Sequence, residues 1–129
     1  MATVAAVSSR AVSCRARVEI LVDALLEVHR ALVVVARADF ELENGPVGSS
    51  GEVLGLLAEH PAFAWLRPLS SFIAAIDSEA SEDEMTAALA GARALFEPGS
   101  GAFAQAYYAA LQRAPEAVMA HARLRMALH

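Results

Sequence analysis

The feature that most constrains this fold is the spacing of apolar residues between about Arg17 and Asn44. They return every three or four positions, which is the period of an α-helix. The positions that share one face are Val18, Leu21, Val22, Leu25, His29, Leu32, Ala36 and Phe40. Charged side chains occupy the opposite face, so the pattern predicts one long amphipathic helix. Val34 interrupts the charged face with Ile20 nearby, and this second, weaker apolar strip is suited to contact with another partner.

Gly and Pro divide the rest of the chain into shorter helical segments. Asn44-Gly45-Pro46 ends the long helix, because Gly suits a left-handed turn and Pro cannot continue a helix. Further segments are predicted at about 51–59, 61–77, 82–96, 102–112 and 115–128. The first of these should bury its apolar side chains Val53, Leu54, Leu56 and Leu57. Ser49 and Ser81 each precede a Glu by three residues, which is the spacing of a capping box. Pro68 lies inside the third segment and should bend it or break it in two.

These segments predict an all-α protein, because no stretch alternates with the period of two that is typical of a strand. The loops are short, so neighbouring helices should be antiparallel. We expect a four-helix-bundle-like core with one or two short extra helices, five to six helices in total. Residues 1–16 are interpreted as a flexible tail and residues 17–129 as a single domain, a size that can support its own core.

Charge and composition exclude several classes of partner. The net charge is −5, so no basic excess is available to neutralise the phosphates of a nucleic acid. Uncharged apolar runs are far shorter than a membrane span requires. Cys14 is the single cysteine, so no intrachain disulfide can form, which favours a cytoplasmic protein. The basic residues are all Arg, and the Arg- and Ala-rich composition indicates a GC-rich bacterial genome.

Motifs for a metal, a cofactor or a catalytic nucleophile are not found. Glu27 with His29 and Glu59 with His60 lack the Glu-x-x-His spacing of di-iron bundles. There is no G-x-S-x-G sequence, and Cys14 has no evident partner. The sequence therefore predicts no metal, no cofactor and no catalytic residue.

A ligand pocket is suggested by polar and aromatic side chains on inward faces. His29 interrupts the apolar face of the first helix, while His121 shares an arc of the last helix with Val118, Ala122 and Arg125. Such inward groups need partners and are also found in pockets. The candidate binding residues are His29, Trp65, Arg67, Tyr107, His121 and Arg125. The alternative is a set of core side chains that satisfy one another, with Arg125 reaching the rim and Arg67 paired with an acid of its own chain.

Three stretches carry a resemblance to known proteins, namely ALLEVHRAL, ADFELENGPVGS and HPAFAWLRPLSSFIAAID. Together they resemble a group of small, uncharacterised all-helical bacterial proteins, over about residues 20 to 128. The resemblance implies a helical bacterial protein and assigns no functional residue.

Three functions are compatible with this pattern. The first is a non-enzymatic module that forms a homodimer or binds another protein, as the high apolar content and the second strip suggest. The second is a bundle that binds a small molecule in the candidate pocket. The third is an enzyme that uses His29 or His121 as an acid or base.

Overall fold

The protein is described by a computed structural model that covers the backbone of residues 2–76 and 80–129 and the side chains of residues 13–76 and 80–129. Those ranges form six α-helices and one 3₁₀ helix, and they contain no strand. The elements are α1 Ala2–Asn44, α2 Ser50–Glu59, the 3₁₀ helix Pro61–Leu66, α3 Arg67–Ala75, α4 Glu82–Leu95, α5 Ala102–Leu111 and α6 Pro115–Ala127. The prediction of an all-α protein with five to six helices is confirmed.

Helix α1 is the element around which the others pack. It contacts the 3₁₀ helix, α3, α4, α5 and α6. The completely buried apolar side chains Leu21, Leu25 and Leu32 follow the predicted stripe. Burial of each such side chain contributes about 2 kcal/mol, so this stripe is a main source of stability.

Two ion pairs show that α6 runs antiparallel to α1. Glu27 of α1 pairs with Arg123 of α6, while Asp39 further along α1 pairs with Arg113, just before α6 begins, at 2.9 Å. From Glu27 to Asp39 the residue number rises along α1, while the number of the partner falls from Arg123 to Arg113. The two helices therefore run in opposite directions. Because these side chains are partly exposed, the pairs mark the register of the helices more than they stabilise it.

The first helix begins earlier than the sequence pattern predicted. It starts at Ala2 instead of near Arg17, and Cys14 is buried in the core. Residues 2–17 contain neither Gly nor Pro, so nothing in them ends a helix once packing at Cys14 and Val18 extends the apolar stripe. That residues 1–16 move independently of the bundle stays a prediction.

Both predicted capping residues cap their helices. Ser49 Oγ accepts a hydrogen bond from the Glu52 amide, and Ser81 Oγ accepts one from the Glu84 amide, each at 3.2 Å. In addition, Ser81 Oγ donates to a carboxylate oxygen of Glu84 at 3.1 Å. These bonds satisfy amide groups that have no partner within the helix.

The proline-containing segment after His60 is divided into two elements. His60 Nδ1 accepts a hydrogen bond from the Ala62 amide at 3.0 Å and thereby caps the 3₁₀ helix. The chain changes to an α-helix at Arg67, which places Pro68 in the first turn of α3. An amide group is not needed there, so Pro68 breaks the predicted helix in two without leaving an unpaired carbonyl in its middle.

One expected core residue of α2 is not in the core. Leu54 was predicted to be buried, yet 66% of its surface is exposed. Helix α2 lies at the edge of the bundle, where Val53 supplies its only fully buried side chain within the described residues.

Candidate functional site

A cavity of about 450 Å³ lies between the C-terminal ends of α4 and α6, beside α5. We call it the α4–α6 cavity. It is lined by Arg93, Phe96, Glu97, Pro98, Tyr108, His121, Leu124, Arg125, Leu128 and His129. Its walls are mainly apolar, with a few polar groups between them, which is the composition typical of sites for small organic molecules.

A partly buried hydrogen bond between Tyr107 and His121 joins α5 to α6 beside this cavity. Tyr107 Oη and His121 Nδ1 are 2.7 Å apart, and the imidazole tautomer determines which of them donates. Burial raises the pKa of Tyr107 far above its ordinary value, and the neighbouring Tyr108 adds to this effect. Burial lowers the pKa of His121, and the positive charge of Arg125 lowers it further. Both side chains are therefore neutral at pH 7.

The neighbouring Tyr108 contributes its ring to the cavity while its hydroxyl is engaged elsewhere. This hydroxyl donates a hydrogen bond to the Phe96 carbonyl at 2.6 Å. Burial raises the pKa of Tyr108, as does the Glu97 carboxylate, whereas Arg125 acts in the opposite direction. The hydroxyl is thus a neutral donor that holds the end of α4 against α5.

The two arginines of the cavity differ in what they contact. Arg93 Nε donates to the Leu128 carbonyl at 3.1 Å and so joins α4 to the end of α6. Arg125 is exposed and makes no hydrogen bond or ion pair with any residue that the structure describes. It is nevertheless close enough to His121 and Tyr108 for its charge to affect their pKa values. Arg93 therefore supports the wall, and Arg125 offers an uncommitted guanidinium at the rim.

His29 has a different partner and does not line the α4–α6 cavity. Its Nε2 lies 2.8 Å from Ser70 Oγ, which also lies 3.3 Å from the Leu66 carbonyl. The single Ser70 proton can be donated to one of them, and a bond to the Leu66 carbonyl makes His29 the donor to Ser70. Burial lowers the pKa of His29, so the neutral imidazole is favoured. His29 thus has a hydrogen-bond partner within the protein, and the contact joins α1 to α3.

The two other candidates, Trp65 and Arg67, lie in different environments. Trp65 is half-buried and stacks on Phe103 with ring centroids 6.4 Å apart. Phe103 in turn stacks on Tyr107 at 5.8 Å, so Trp65 anchors the 3₁₀ helix to α5. Arg67 is exposed and pairs with no acid among the described residues.

The candidate residues are thus brought together only in part. His121 and Arg125 line one cavity, with Tyr107 directly behind them, whereas His29, Trp65 and Arg67 lie elsewhere. The predicted inward arc of α6 is wrong at Val118, which is 47% exposed, and at Ala122 and Arg125, which are exposed. The buried side chains of α6 are Ala117, Ala120 and Leu124. Two of these are Ala, so the larger apolar residues of this helix do not identify its core face.

Sequence reasoning missed the contribution of the segment that follows α4. Phe96, Glu97 and Pro98 line the cavity, although the sequence suggested only a break there. The adjacent Tyr107 and Tyr108 were the sequence signal that could have indicated this contact. Two neighbouring hydroxyls on a helix need hydrogen-bond partners on different elements.

A second cavity, of about 520 Å³, lies where α1 meets α2. Phe40, Glu52, Glu59 and His60 contribute to its lining. Two of its polar groups already have structural partners, since Glu52 accepts from the Gly48 amide and His60 caps the 3₁₀ helix. This cavity is therefore a weaker candidate for a ligand site.

The outer surface of α1 and α6 carries several exposed apolar side chains, which we call the α1–α6 face. Its members are Ile20, Val34, Leu42, Met119 and Met126, each between 54% and 86% exposed. The pair Glu27–Arg123 lies within this surface. Along α1, Glu27 is seven residues from both Ile20 and Val34, and along α6, Arg123 is a helical turn from Met119 and Met126. The apolar strips of the two helices therefore flank one ion pair.

Searches for other kinds of site and for related proteins gave negative results. Among the described side chains no group of three or more His, Cys, Asp or Glu residues could hold a metal ion. In the part of the chain that the structure describes, no helix is both long and apolar enough to cross a membrane. Comparison of the chain with family models, curated proteins and solved structures found no match.

Proposed function

We propose that this protein is a non-enzymatic helical module that forms a homodimer through the α1–α6 face. The observation that carries the proposal is the concentration of exposed large apolar side chains on two adjacent helices. Scattered apolar residues are normal on a protein surface, whereas a patch that continues across elements is typical of an interaction site.

The charges beside this face favour a second copy of the chain as the partner. Asp23 and Arg30 lie on the same side of α1, seven residues apart, and neither pairs with a described residue of its own chain. In a two-fold, antiparallel approach of two α1 helices, Ile20 of one copy can face Val34 of the other. This register brings Asp23 of each copy close to Arg30 of its partner. A two-fold interface must be self-complementary in this way.

The same symmetry places both copies of α6 on one side of the paired α1 helices. Met119 and Met126 then face the interface from each copy. Methionine side chains are flexible and adapt to an apolar partner surface. The dimer would cover the apolar strips of both helices and leave the α4–α6 cavity open.

Sedimentation equilibrium tests this proposal directly. We expect twice the 13.6 kDa mass of the chain at concentrations near 100 µM, a range where interfaces of modest size associate. Val34→Glu should give a monomer with an unchanged helical circular dichroism spectrum. Leu54→Glu is the matched control, since Leu54 is also exposed, at 66% against 54% for Val34, but lies on α2 away from the face.

A charge exchange separates this geometry from nonspecific association. Asp23→Arg should weaken the dimer, and Asp23→Arg with Arg30→Asp should restore it, because the exchange recreates opposite charges across the two-fold axis. A strict monomer at all concentrations, or a dimer indifferent to Val34→Glu, would show that the face is not the interface.

Two further functional hypotheses differ in how much structural support they have. Binding of a small molecule is supported by the α4–α6 cavity and is developed below. Acid–base catalysis by His29 has less support, since His29 is engaged with Ser70 and lines neither the α4–α6 cavity nor the cavity between α1 and α2. The single cysteine and the Arg- and Ala-rich composition support a location of this protein in the cytoplasm of a bacterium.

A further inference from the structure

The α4–α6 cavity combines an apolar interior with one uncommitted positive group. Phe96, Leu124 and Leu128 supply apolar wall, together with the ring of Tyr108. Three of its polar side chains already have partners, because the Tyr108 hydroxyl bonds to the Phe96 carbonyl, Arg93 to the Leu128 carbonyl and His121 to Tyr107. A ligand of this cavity therefore needs a body that is mainly apolar.

Arg125 determines the sign of the charge that such a ligand should carry. Its guanidinium has no partner among the described residues, and it stands on the same wall as His121. Arg93 adds a second positive charge, while Glu97 is the sole acidic side chain of the lining. The two guanidinium groups against one carboxylate favour an anion. A planar guanidinium binds a carboxylate through two parallel hydrogen bonds.

The size and shape of the cavity limit the ligand further. A volume of about 450 Å³ is within the range of sites for small organic molecules. Aromatic side chains form much of the wall, and Tyr108 stands edge-on to His121 at 5.9 Å. A flat ring can pack against such a wall with favourable ring geometry.

We propose that the α4–α6 cavity binds a small aromatic carboxylate, with the carboxylate against Arg125 and the ring against Phe96 and Leu124. This site is separate from the α1–α6 face. On α6 the cavity uses His121, Leu124 and Arg125, whereas the face uses Met119 and Met126. The ligand site therefore does not depend on dimer formation.

Titration with 1-naphthaleneacetate and with its uncharged analogue 1-naphthaleneacetamide tests the proposal. Calorimetry should show the acid binding at least about tenfold more tightly, as expected for one charge-assisted hydrogen-bonded pair. Amide resonances in two-dimensional NMR spectra should shift for residues 93–98 and 121–129 when the acid is added.

Arg125→Met should reduce the affinity for the acid to that of the amide while the spectrum keeps its dispersion. Arg67→Met is the matched control, because Arg67 is also exposed and unpaired among the described residues but lies outside the cavity. That control should bind the acid as the parent protein does.

Three results would overturn the proposal. The first is equal affinity for acid and amide, which would remove the role of Arg125. The second is a set of shifted resonances outside the cavity lining. The third is the lack of any binding at about 1 mM ligand, a concentration at which even weak specific sites are partly occupied.

Discussion

At the scale of single residues, the hydrogen bond between the buried Tyr107 and the partly buried His121 is the contact most open to direct test. Tyr107 is completely buried, and its hydroxyl has one polar partner, on the next helix. A buried hydroxyl without a partner is costly, so the two residues depend on each other. Because His121 also lines the α4–α6 cavity, this bond holds one wall of the proposed ligand site in place.

We predict that Tyr107→Phe lowers the free energy of unfolding by about 1 kcal/mol, since it leaves His121 Nδ1 without its partner. A double-mutant cycle with His121→Leu, followed by urea denaturation, should give a coupling energy of similar size. Tyr108→Phe serves as the comparison, because its hydroxyl bonds to the Phe96 carbonyl instead. Strictly additive effects of the Tyr107 and His121 changes would contradict the bond.

At the scale of elements, two glycines within helices differ in their surroundings. A Cβ atom at Gly55 of α2 would meet no atom within 4 Å. At Gly91 of α4 it would lie 2.9 Å from the ring of Phe72, on α3. The absence of a side chain at Gly91 thus allows the Phe72 ring of α3 to pack directly against the backbone of α4, whereas Gly55 has no such role.

The two corresponding Ala variants should therefore differ in stability. Gly55→Ala should raise the free energy of unfolding by up to about 1 kcal/mol, because Ala has the higher helix propensity. Gly91→Ala should gain less or lose stability, because Phe72 must move to make room. Urea denaturation of both variants measures the difference, and equal gains would show that α3 and α4 are not in close contact at Phe72.

At the scale of the whole molecule, the titrating groups predict a stability plateau between about pH 6.5 and pH 10. Burial lowers the pKa of His29 and His121 from 6.5. The unfolded chain then binds more protons than the folded one below pH 6.5, so stability falls as the pH is lowered. Burial raises the pKa of Tyr107 and Tyr108 from 10. Above pH 10 the folded chain retains protons that the unfolded chain loses, so stability falls as the pH rises.

Urea midpoints measured from pH 5 to pH 8 check the acid side of this plateau. The doubly substituted variant His29→Gln, His121→Gln should show a shallower fall below pH 6.5 than the parent protein, because both partly buried imidazoles are gone. An unchanged slope would mean that neither histidine is desolvated in the folded state.

The sequence alone determined the local structure of the chain. The stripe along α1, the caps at Ser49 and Ser81 and the break at Pro68 all depend on residues a few positions apart, and each was predicted correctly. Local rules act over about one helical turn, so a single sequence carries this information. The sequence-based prediction was wrong at the start of α1, where burial of Cys14 continues the helix. It was also wrong at Leu54, which lies at the edge of the bundle.

Tertiary structure alone decided which side chains meet. His29 bonds to a serine 41 residues away, and Tyr107 to a histidine 14 residues away. The burial of the Ala face of α6, which exposes Val118, and the exposure of Arg67 follow from how the helices pack around α1. A helix with large apolar residues on one side and alanines on another can bury either side, because close approach of the helix backbones compensates for the smaller side chains. Only the neighbours of that helix select the face, and with it the residues that line the α4–α6 cavity.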